Sequence, residues 1–243
     1  MKTAVVTGTS YGIGFEVAKQ LLNIGYKVYG VSRTETKIDN NNFIWIKCDL
    51  YKKEEIENIL EFITEDKIDL LVNNAGTHFE EDFVDFKLSS FNKMFELNFL
   101  SAIYITNLLI NKLSLEKIIN ISSTSDRFVE PGSGLYCASK ASLDLFFEAL
   151  SMEQENIKVI NILPNYVDTP LQRSMKHDNN FDWSQCVSSE KVAEVVVKVA
   201  NNEVDVATNS KIIVLNNKSL DAVEDPEKLY SYNVDQNVIE KIK

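Results

Sequence analysis

Short apolar runs rich in β-branched residues alternate along the chain with longer segments of helical periodicity. The runs predict seven strands, at residues 2–7, 27–32, 42–48, 68–73, 116–122, 157–163 and 210–215. Several runs are apolar almost throughout, which is typical of strands covered on both faces. Apolar residues at helical spacing predict helices at about 12–24, 52–64, 89–112, 137–153 and 188–201.

Strands and helices in this alternating order imply right-handed crossovers. We therefore predict an α/β fold: a doubly wound, seven-stranded parallel sheet with helices on both faces, the Rossmann fold. No repeat, linker or break in composition divides residues 1–243, so we expect one domain. Residues 165–187 are less regular and are predicted to form a lid over the site. We expect the polar tail at 216–243 either to be partly ordered or to pack on a partner subunit.

Composition and charge narrow the classes of partner. The 36 acidic side chains outnumber the 25 basic ones, giving a net charge of −11. Such a surface repels nucleic acid and anionic membranes, so neither is an expected partner. The chain begins at once with a strand and has no run of about 18 apolar residues, so no signal peptide or membrane span is expected. The three cysteines form no CxxC or Cys/His cluster, which predicts no metal site and favours a reducing cytoplasm.

A glycine-rich turn, Thr7-Gly8-Thr9-Ser10-Tyr11-Gly12-Ile13-Gly14, follows the first strand and precedes a helix. In such turns one glycine permits the tight bend, one lets the backbone approach a pyrophosphate and one allows close packing of helix on strand. The helix N-terminus adds free N–H groups and partial positive charge for phosphates. The alternative is an ordinary strand–helix turn, but its place after the first strand favours dinucleotide binding.

The end of the second strand indicates which dinucleotide is preferred. NAD sites usually place an acidic residue there, on the ribose 2′-hydroxyl. This chain has Ser32 followed by Arg33, and a guanidinium can bind a 2′-phosphate with two hydrogen bonds. We therefore predict NADP(H) as the preferred cofactor, with NAD(H) possible. In the alternative interpretation Arg33 is a solvated cation and Glu35 approaches the ribose.

Tyr136 and Lys140 are four residues apart on a predicted helix and share one face. A free tyrosine has a pKa of about 10 and is a poor base at neutral pH. A nearby ammonium and the positive nicotinamide ring of an oxidised cofactor stabilise the phenolate. Tyr136 is then able to donate a proton to a carbonyl oxygen as hydride arrives, or to remove one in reverse.

Polar residues at strand ends surround this pair. Ser123 closes the strand 13 residues before Tyr136, where its hydroxyl can bond the substrate oxygen. The run Asn73-Asn74-Ala75-Gly76 ends the fourth strand, at the edge where an open α/β sheet forms its ligand crevice. Asn98 lies among apolar residues of a predicted helix, and its amide therefore needs a hydrogen-bond partner.

With these motifs in this order, the sequence resembles the short-chain dehydrogenase/reductase family in its compact single-domain form. The resemblance covers about residues 1–215 and rests on the T-G-x-x-x-G-x-G, N-N-A-G and Y-x-x-x-K signatures. It implies a tetrad of Asn98, Ser123, Tyr136 and Lys140. Tyr136 is the implied acid/base and Ser123 orients the substrate oxygen. Lys140 binds the nicotinamide ribose and lowers the pKa of Tyr136, and Asn98 holds a water linking Lys140 to solvent.

The resemblance also implies the cofactor contacts, with Asp49 at the adenine and Asn74 stabilising the sheet nearby. Together with the glycine-rich turn and Arg33, the predicted cofactor contacts are Gly8, Ser10, Tyr11, Gly12, Ile13, Gly14, Arg33, Asp49, Leu50, Asn74, Ala75, Gly76, Tyr136, Lys140, Pro164, Val167 and Thr169. Two departures stand out. Pro164-Asn165 replaces the family's usual Pro-Gly. The family often ends with a glycine-containing strand, whereas here the strand that ends at Leu215 is followed by Asn216-Asn217 and a tail of 28 residues. Because asparagine tolerates unusual backbone angles, we expect the first turn to survive.

The predicted function is an NADP(H)-dependent oxidoreductase that reduces a carbonyl of a small molecule to an alcohol, or the reverse. A 3-oxoacyl-(acyl-carrier-protein) reductase is the alternative, although an acidic enzyme is a less natural partner for an acidic carrier protein. A non-catalytic dinucleotide sensor is disfavoured because all four tetrad positions are present. Surplus apolar residues on the helices at 89–112 and 137–153 predict a homodimer or homotetramer. They include Phe99, Ile103, Leu143, Phe146, Phe147 and Leu150.

The remaining polar candidates have ordinary interpretations beside the functional ones. His78 follows the N-N-A-G run, and a lone histidine there is more often a polar loop residue than a substrate contact. The same applies more strongly to His177 in the predicted lid. Arg127, Arg173 and Lys176 either attract an anionic substrate or are solvated loop charges.

Overall fold

Seven parallel strands form the centre of the sheet in the computed structural model, which describes residues 1–175, 181–215, 229–233 and 238–241. They are β1 (Thr3–Thr7), β2 (Lys27–Ser32), β3 (Phe43–Lys47), β4 (Leu70–Asn73), β5 (Lys117–Ile121), β6 (Lys158–Pro164) and β7 (Ser210–Val214). Their order is β3-β2-β1-β4-β5-β6-β7, with neighbours parallel. The predicted doubly wound sheet is confirmed, and the strand order reverses direction at β1, next to β4.

Two further strands extend the β7 edge. β8 (Leu229–Asn233) runs parallel to β7, and β9 (Val238–Lys241) pairs antiparallel with β8. The described sheet therefore has nine strands, and parts of the polar tail add to it. An edge strand presents unpaired backbone N–H and C=O groups, which pair with another strand whatever its side-chain pattern. The polar composition of the tail therefore did not predict this strand pairing.

Helices cover both faces of the sheet. They are α1 (Gly12–Asn23), α2 (Lys53–Glu57), α3 (Leu88–Phe95), α4 (Ser101–Lys112), α5 (Gly134–Glu153), α6 (Pro170–Ser174) and α7 (Ser189–Ala200). α1 and α7 pack on one face, while α2, α4 and α5 pack on the other. Within β1, Val5 belongs to one core and Ala4 and Val6 belong to the other. Strand side chains alternate between faces, so a sheet covered on both sides is apolar at successive positions.

Two predicted helices are broken. The predicted helix at 52–64 is α2 followed by a 3-10 turn at Asn58–Glu61. The predicted helix at 89–112 is α3 and α4 joined by a π-helical turn at Glu96–Leu100, which contains Asn98. π-helical turns inside α-helices occur frequently at functional sites. Within the described part of the chain, no helix is both long enough and apolar enough to cross a bilayer.

Candidate active site

The glycine-rich turn is shaped so that side chains cannot replace its glycines. Gly8 and Gly12 have φ of +72° and +66°, in the left-handed region that favours glycine. A Cβ on Gly14 would lie 2.4 Å from the carbonyl oxygen of Gly8 and 2.4 Å from the Asn74 amide nitrogen. α1 starts at Gly12, and Tyr11 at its N-cap makes no side-chain capping hydrogen bond. The turn therefore points backbone N–H groups and a helix N-terminus at the space above β1.

Asn74 joins this turn to the end of β4. Its side-chain amide donates to the carbonyl oxygens of Thr7, at 2.8 Å, and Gly8, at 3.2 Å. In return the Thr7 hydroxyl oxygen accepts from the backbone N–H groups of Asn74 and Ala75, at 2.9 and 3.0 Å. The ends of β1 and β4 are thus held together where the strand order reverses, the usual place of a ligand crevice.

A cavity of about 280 Å³ lies at this point. Every predicted cofactor-contacting residue lines it except Gly14, which packs behind the turn against Gly8 and Asn74. Ser123, Tyr136 and Lys140 of the predicted tetrad line the same cavity. The fourth, Asn98, does not. The structure thus brings the predicted nucleotide contacts and three tetrad members to one space.

Arg33 is the cationic side chain that lines the cavity at the end nearest β2. Its guanidinium carbon lies 5.7 Å from the centre of the Tyr51 ring, and both residues line the cavity. Arg33 is exposed, whereas neighbouring Ser32 is buried and its hydroxyl donates to the carbonyl oxygen of Thr34 at 2.8 Å. Glu35 is exposed and is not part of the cavity wall. Of these two charged side chains in the loop after β2, Arg33 therefore faces the cavity and Glu35 does not.

Tyr136 lies near the start of α5, and its side chain lines the cavity together with Ser123. Burial raises the pKa of Tyr136 to about 12, and the polar hydroxyl of Ser123 opposes this rise. The Tyr136 side chain nevertheless keeps partial solvent exposure. Lys140 Nζ is 5.8 Å from the centre of the Tyr136 ring. Desolvation of the phenolate is the largest influence on this pKa, and its lowering by Lys140 stays a prediction. Tyr136 thus holds its proton at neutral pH.

Lys140 is buried at the floor of the cavity and donates to the carbonyl oxygen of Ile121 at 2.9 Å. Burial lowers the pKa of Lys140 to about 8, and the charge of Asp144 opposes this shift. The ammonium therefore stays largely protonated at neutral pH, and it is held at the end of β5, the strand that leads to Ser123.

Asn98 finds the partners that its burial requires. Its side-chain oxygen accepts from the N–H of Thr77 at 2.7 Å, and its nitrogen donates to the Thr77 carbonyl oxygen at 2.9 Å and to Ser139 Oγ at 3.0 Å. A Cβ on Gly76 would lie 3.3 Å from Asn98 Oδ1 and 3.7 Å from Lys140 Nζ. Asn98 and Lys140 therefore both lie next to Gly76, and of the two only Lys140 also lines the cavity.

The departure at Asn165 requires no unusual backbone. Among the residues described, the non-glycine positions with positive φ are Asn202 and Asn209, so Asn165 adopts an ordinary conformation. Its N–H donates to the carbonyl oxygen of Val214 at 3.1 Å, and its side-chain oxygen accepts from Thr124 Oγ1 at 3.2 Å. The turn after β6 therefore accommodates Asn165, as expected. It does so with an ordinary backbone conformation, and not because asparagine tolerates unusual backbone angles.

The predicted lid at 165–187 is tied at both ends. Val167–Asp168 pairs in parallel with Val187–Ser188. Arg173 Nε lies 2.6 Å from Asp168, and its guanidinium carbon lies 4.8 Å from the centre of the Trp183 ring, so it is a paired charge. Arg127 likewise pairs with Asp126, with Nε 3.0 Å from Oδ1. Lys176 and His177 lie outside the described residues.

Sequence reasoning missed two contacts between side chains that are far apart in the chain. The His78 ring stacks on the Tyr136 ring, although we interpreted His78 as an ordinary loop residue. Tyr166 hydrogen bonds to Glu130, which joins the predicted lid to the loop before α5. These partners are far apart in sequence and no motif signals them. In the parts of the chain described here, His, Cys, Asp and Glu side chains form no cluster able to hold a metal ion.

Comparisons with known proteins agree with this geometry. A sequence model of the short chain dehydrogenase family matches residues 2–180. The chain is 30% identical to a 3-oxoacyl-(acyl-carrier-protein) reductase of Rickettsia typhi, over 88% of this chain and 95% of that protein. It is 27% identical to the benzil reductase ((S)-benzoin forming) of Bacillus subtilis, over 80% and 86% respectively. A crystal structure of a short chain dehydrogenase family protein from Francisella tularensis is similar with a TM-score of 0.80, at 27% identity, covering 88% of this chain and 96% of that one.

Proposed function

The chain belongs to the short-chain dehydrogenase family, and we propose that it uses NADP(H) to reduce a carbonyl of a small molecule to an alcohol, or catalyses the reverse oxidation, with Tyr136 as the acid/base. One observation carries the proposal: Ser123, Tyr136 and Lys140 line the same cavity as the glycine-rich turn. A dinucleotide with its phosphates held at the turn would have these three side chains within the same cavity.

The residues present fit a dinucleotide. Gly14 has no room for a Cβ, and the first turn of α1 has no side-chain cap, so its N–H groups are available to phosphate oxygens. The bound cofactor supplies the hydride. We assign the ribose contact to Lys140, whose ammonium lies at the cavity floor.

The chain's own residues orient the carbonyl and supply the proton. Ser123 donates a hydrogen bond to the carbonyl oxygen and holds it beside Tyr136. Tyr136, whose ordinary pKa of about 10 already keeps it protonated at neutral pH, gives its hydroxyl proton to that oxygen as negative charge develops. We propose that Asn98 Oδ1 and Lys140 Nζ, which both face Gly76, share the water of the implied proton relay.

The preference for NADP(H) over NAD(H) rests on Arg33. Its guanidinium lies on the cavity wall beside Tyr51, and Glu35, the acidic alternative, does not line the cavity. A ribose 2′-phosphate at this end finds a cation, while no carboxylate of this loop is available on the wall to accept from a 2′-hydroxyl.

A carbonyl screen tests the proposed function. Purified protein is mixed with NADPH or NADH and a panel of ketones, aldehydes and 1,2-diketones, and the loss of nicotinamide absorbance is followed. We expect turnover of at least one carbonyl class, faster with NADPH. Bound NADPH without turnover of any carbonyl, and without oxidation of the matching alcohols by NADP⁺, would instead indicate the non-catalytic sensor.

A 3-oxoacyl-(acyl-carrier-protein) reductase is the second candidate, and the relative from Rickettsia typhi favours it. Against it stands the net charge of −11, which repels an acidic carrier protein. The pairing of Arg127 with Asp126 and of Arg173 with Asp168 strengthens this objection, because each of these two loop cations already has a carboxylate partner. Comparing 3-oxoacyl groups on a carrier protein and on a small thioester separates the two candidates: equal kcat/KM for both would favour a free small substrate.

We also propose that the protein assembles as a homodimer or homotetramer through α4 and α5. Apolar side chains on these helices remain at the surface: Tyr104, Leu145, Phe146 and Met152 are 40%, 66%, 38% and 64% exposed. Leu143 and Phe147, which we had counted toward this surface, are instead in the core. A monomer in sedimentation at micromolar concentration would overturn this proposal.

We further propose that the protein works in a reducing cytoplasm. Its three cysteines form no disulfide, so no oxidising compartment is needed to maintain the fold.

A further inference from the structure

The imidazole of His78 lies against the phenol ring of Tyr136. The two ring centres are 4.3 Å apart and the planes meet at 25°, a stacked arrangement. Aromatic pairs at this distance attract each other beyond the area they bury, so each ring restricts the orientation of the other. The π face of the candidate proton donor is therefore covered by a side chain from the loop after β4.

Contacts on both ring nitrogens fix His78 itself. Nε2 lies 3.4 Å from the hydroxyl of Ser133, which is buried and directly precedes α5. Nδ1 lies 3.2 Å from the sulfur of Met175, the residue that follows α6 in the predicted lid. The imidazole is thus held between the start of the helix that carries Tyr136 and the end of a lid helix.

The charge state of His78 decides what it can do. Burial lowers the pKa of His78 to about 4; the carboxylate of Glu130 opposes this shift and the ammonium of Lys140 adds to it. At neutral pH the ring is uncharged. It therefore neither stabilises a phenolate as a cation nor supplies a proton, and what remains is the shape and stacking of the ring.

We propose that His78 is a positioning residue, whose ring stacks on Tyr136 and holds the phenol hydroxyl in line with Ser123 and the substrate oxygen. This inference rests on the proposed acid/base role of Tyr136. A proton donor acts only within hydrogen-bond reach, and a displacement of about 1 Å can cost roughly 10²-fold in rate. The contact with Met175 makes the position of the lid helix a second influence on the same ring.

Two substitutions at position 78 separate ring shape from imidazole chemistry. His78→Phe keeps an aromatic ring, and we expect kcat within about threefold of wild type. His78→Ala removes the ring, and we expect kcat to fall by about tenfold or more while the KM of the carbonyl and the Kd of NADPH change by less than about twofold. Phe79→Ala, a neighbour on the same loop that is 38% exposed, is the matched control and should leave kcat unchanged.

An isotope effect shows whether the chemical step is what slows. With cofactor deuterated at the transferred hydrogen, His78→Ala should show a larger isotope effect on kcat than wild type, since a misplaced proton donor slows the step in which hydride moves. A loss of lid closure or of general stability would not raise it. An unchanged kcat in His78→Ala, or a loss in His78→Phe as large as that in His78→Ala, would overturn the proposal.

The stack can also be tested without turnover, which separates this inference from the proposed function. In protein carrying ¹³C-labelled tyrosine rings, the Tyr136 signal is assigned by its disappearance in Tyr136→Phe. Stacking predicts a ring-current shift of this signal that His78→Ala abolishes and His78→Phe retains. A Tyr136 signal identical in wild type and His78→Ala contradicts the inference. A stack confirmed in a protein that turns over no carbonyl contradicts the proposed function instead, and with it the assigned role of Tyr136.

Discussion

On the β1–β4 side of the cavity the protein presents mainly backbone, held by contacts between the ends of neighbouring strands. Gly8 and Gly12 set the turn, and Asn74 bonds carbonyl oxygens of that turn. Around Tyr136 and the predicted lid, by contrast, the contacts join side chains brought together across long stretches of chain. His78 contacts Met175, 97 residues later, and Tyr166 bonds Glu130, 36 residues earlier.

This difference follows from what each side has to bind. Backbone N–H groups at a turn and a helix N-terminus recognise phosphate, a feature that every dinucleotide shares. Side chains on loops can change one at a time while the scaffold stays fixed, so they suit recognition of a particular substrate. We therefore expect substitutions at the glycine-rich turn and the ends of β1 and β4 to affect cofactor binding and stability. Substitutions around Tyr136 and the predicted lid should instead affect turnover or the KM of the carbonyl.

The largest effect on cofactor binding is expected from Gly14→Ala. Its Cβ would lie 2.4 Å from the Gly8 carbonyl oxygen, so the turn has to move. Overpacking of this kind costs about 1–3 kcal/mol in stability, and the displaced turn should weaken NADPH and NADH alike by more than about 100-fold. Titration of both cofactors and thermal melting measure this. Gly134→Ala, which meets nothing within 4 Å, is the matched control and should bind both normally.

Arg33→Ala tests a cofactor contact that we assign to a side chain and not to the backbone. Loss of a charged hydrogen-bond partner should weaken NADPH by about 1.5–3 kcal/mol, which is about 10- to 150-fold, and leave NADH nearly unchanged. Lys37→Ala removes an exposed cation that does not line the cavity and serves as the control. If wild-type protein already binds NADH as tightly as NADPH, Arg33 does not have the role we propose.

A smaller effect, confined to the substrate side, is expected from Tyr166→Phe. The substitution removes the hydroxyl that bonds Glu130 and so loosens the predicted lid from the loop before α5. One hydrogen bond contributes about 0.5–1.5 kcal/mol, so the KM of the carbonyl should rise by about two- to tenfold with the Kd of NADPH unchanged. Tyr104→Phe, on the exposed face of α4, is the control. An equal change in cofactor affinity would remove the distinction between the two sides.

The same division explains what could be predicted from the sequence. Strands covered on both faces are continuous apolar runs, and glycines at fixed spacing mark a phosphate turn, so both are read from neighbouring residues. The stack of His78 on Tyr136 joins positions 58 residues apart and leaves no local pattern. Edge pairing of 229–233 is likewise invisible, because backbone hydrogen bonds make it. The pKa of Tyr136 depends on burial in the folded chain, which the Y-x-x-x-K spacing does not report.

Single-turnover reduction by Tyr136→Phe tests the central claim most directly. The substitution keeps the ring and removes the proton donor, so NADPH should bind with near-native affinity while hydride transfer slows by about 10²–10⁴-fold. Ser123→Ala should also slow transfer and spare the cofactor, whereas Lys140→Met should weaken both, because Lys140 is proposed to contact the ribose. A general loss of stability would not produce these three patterns together. Near-native hydride transfer in Tyr136→Phe on a carbonyl that wild type reduces would contradict the account.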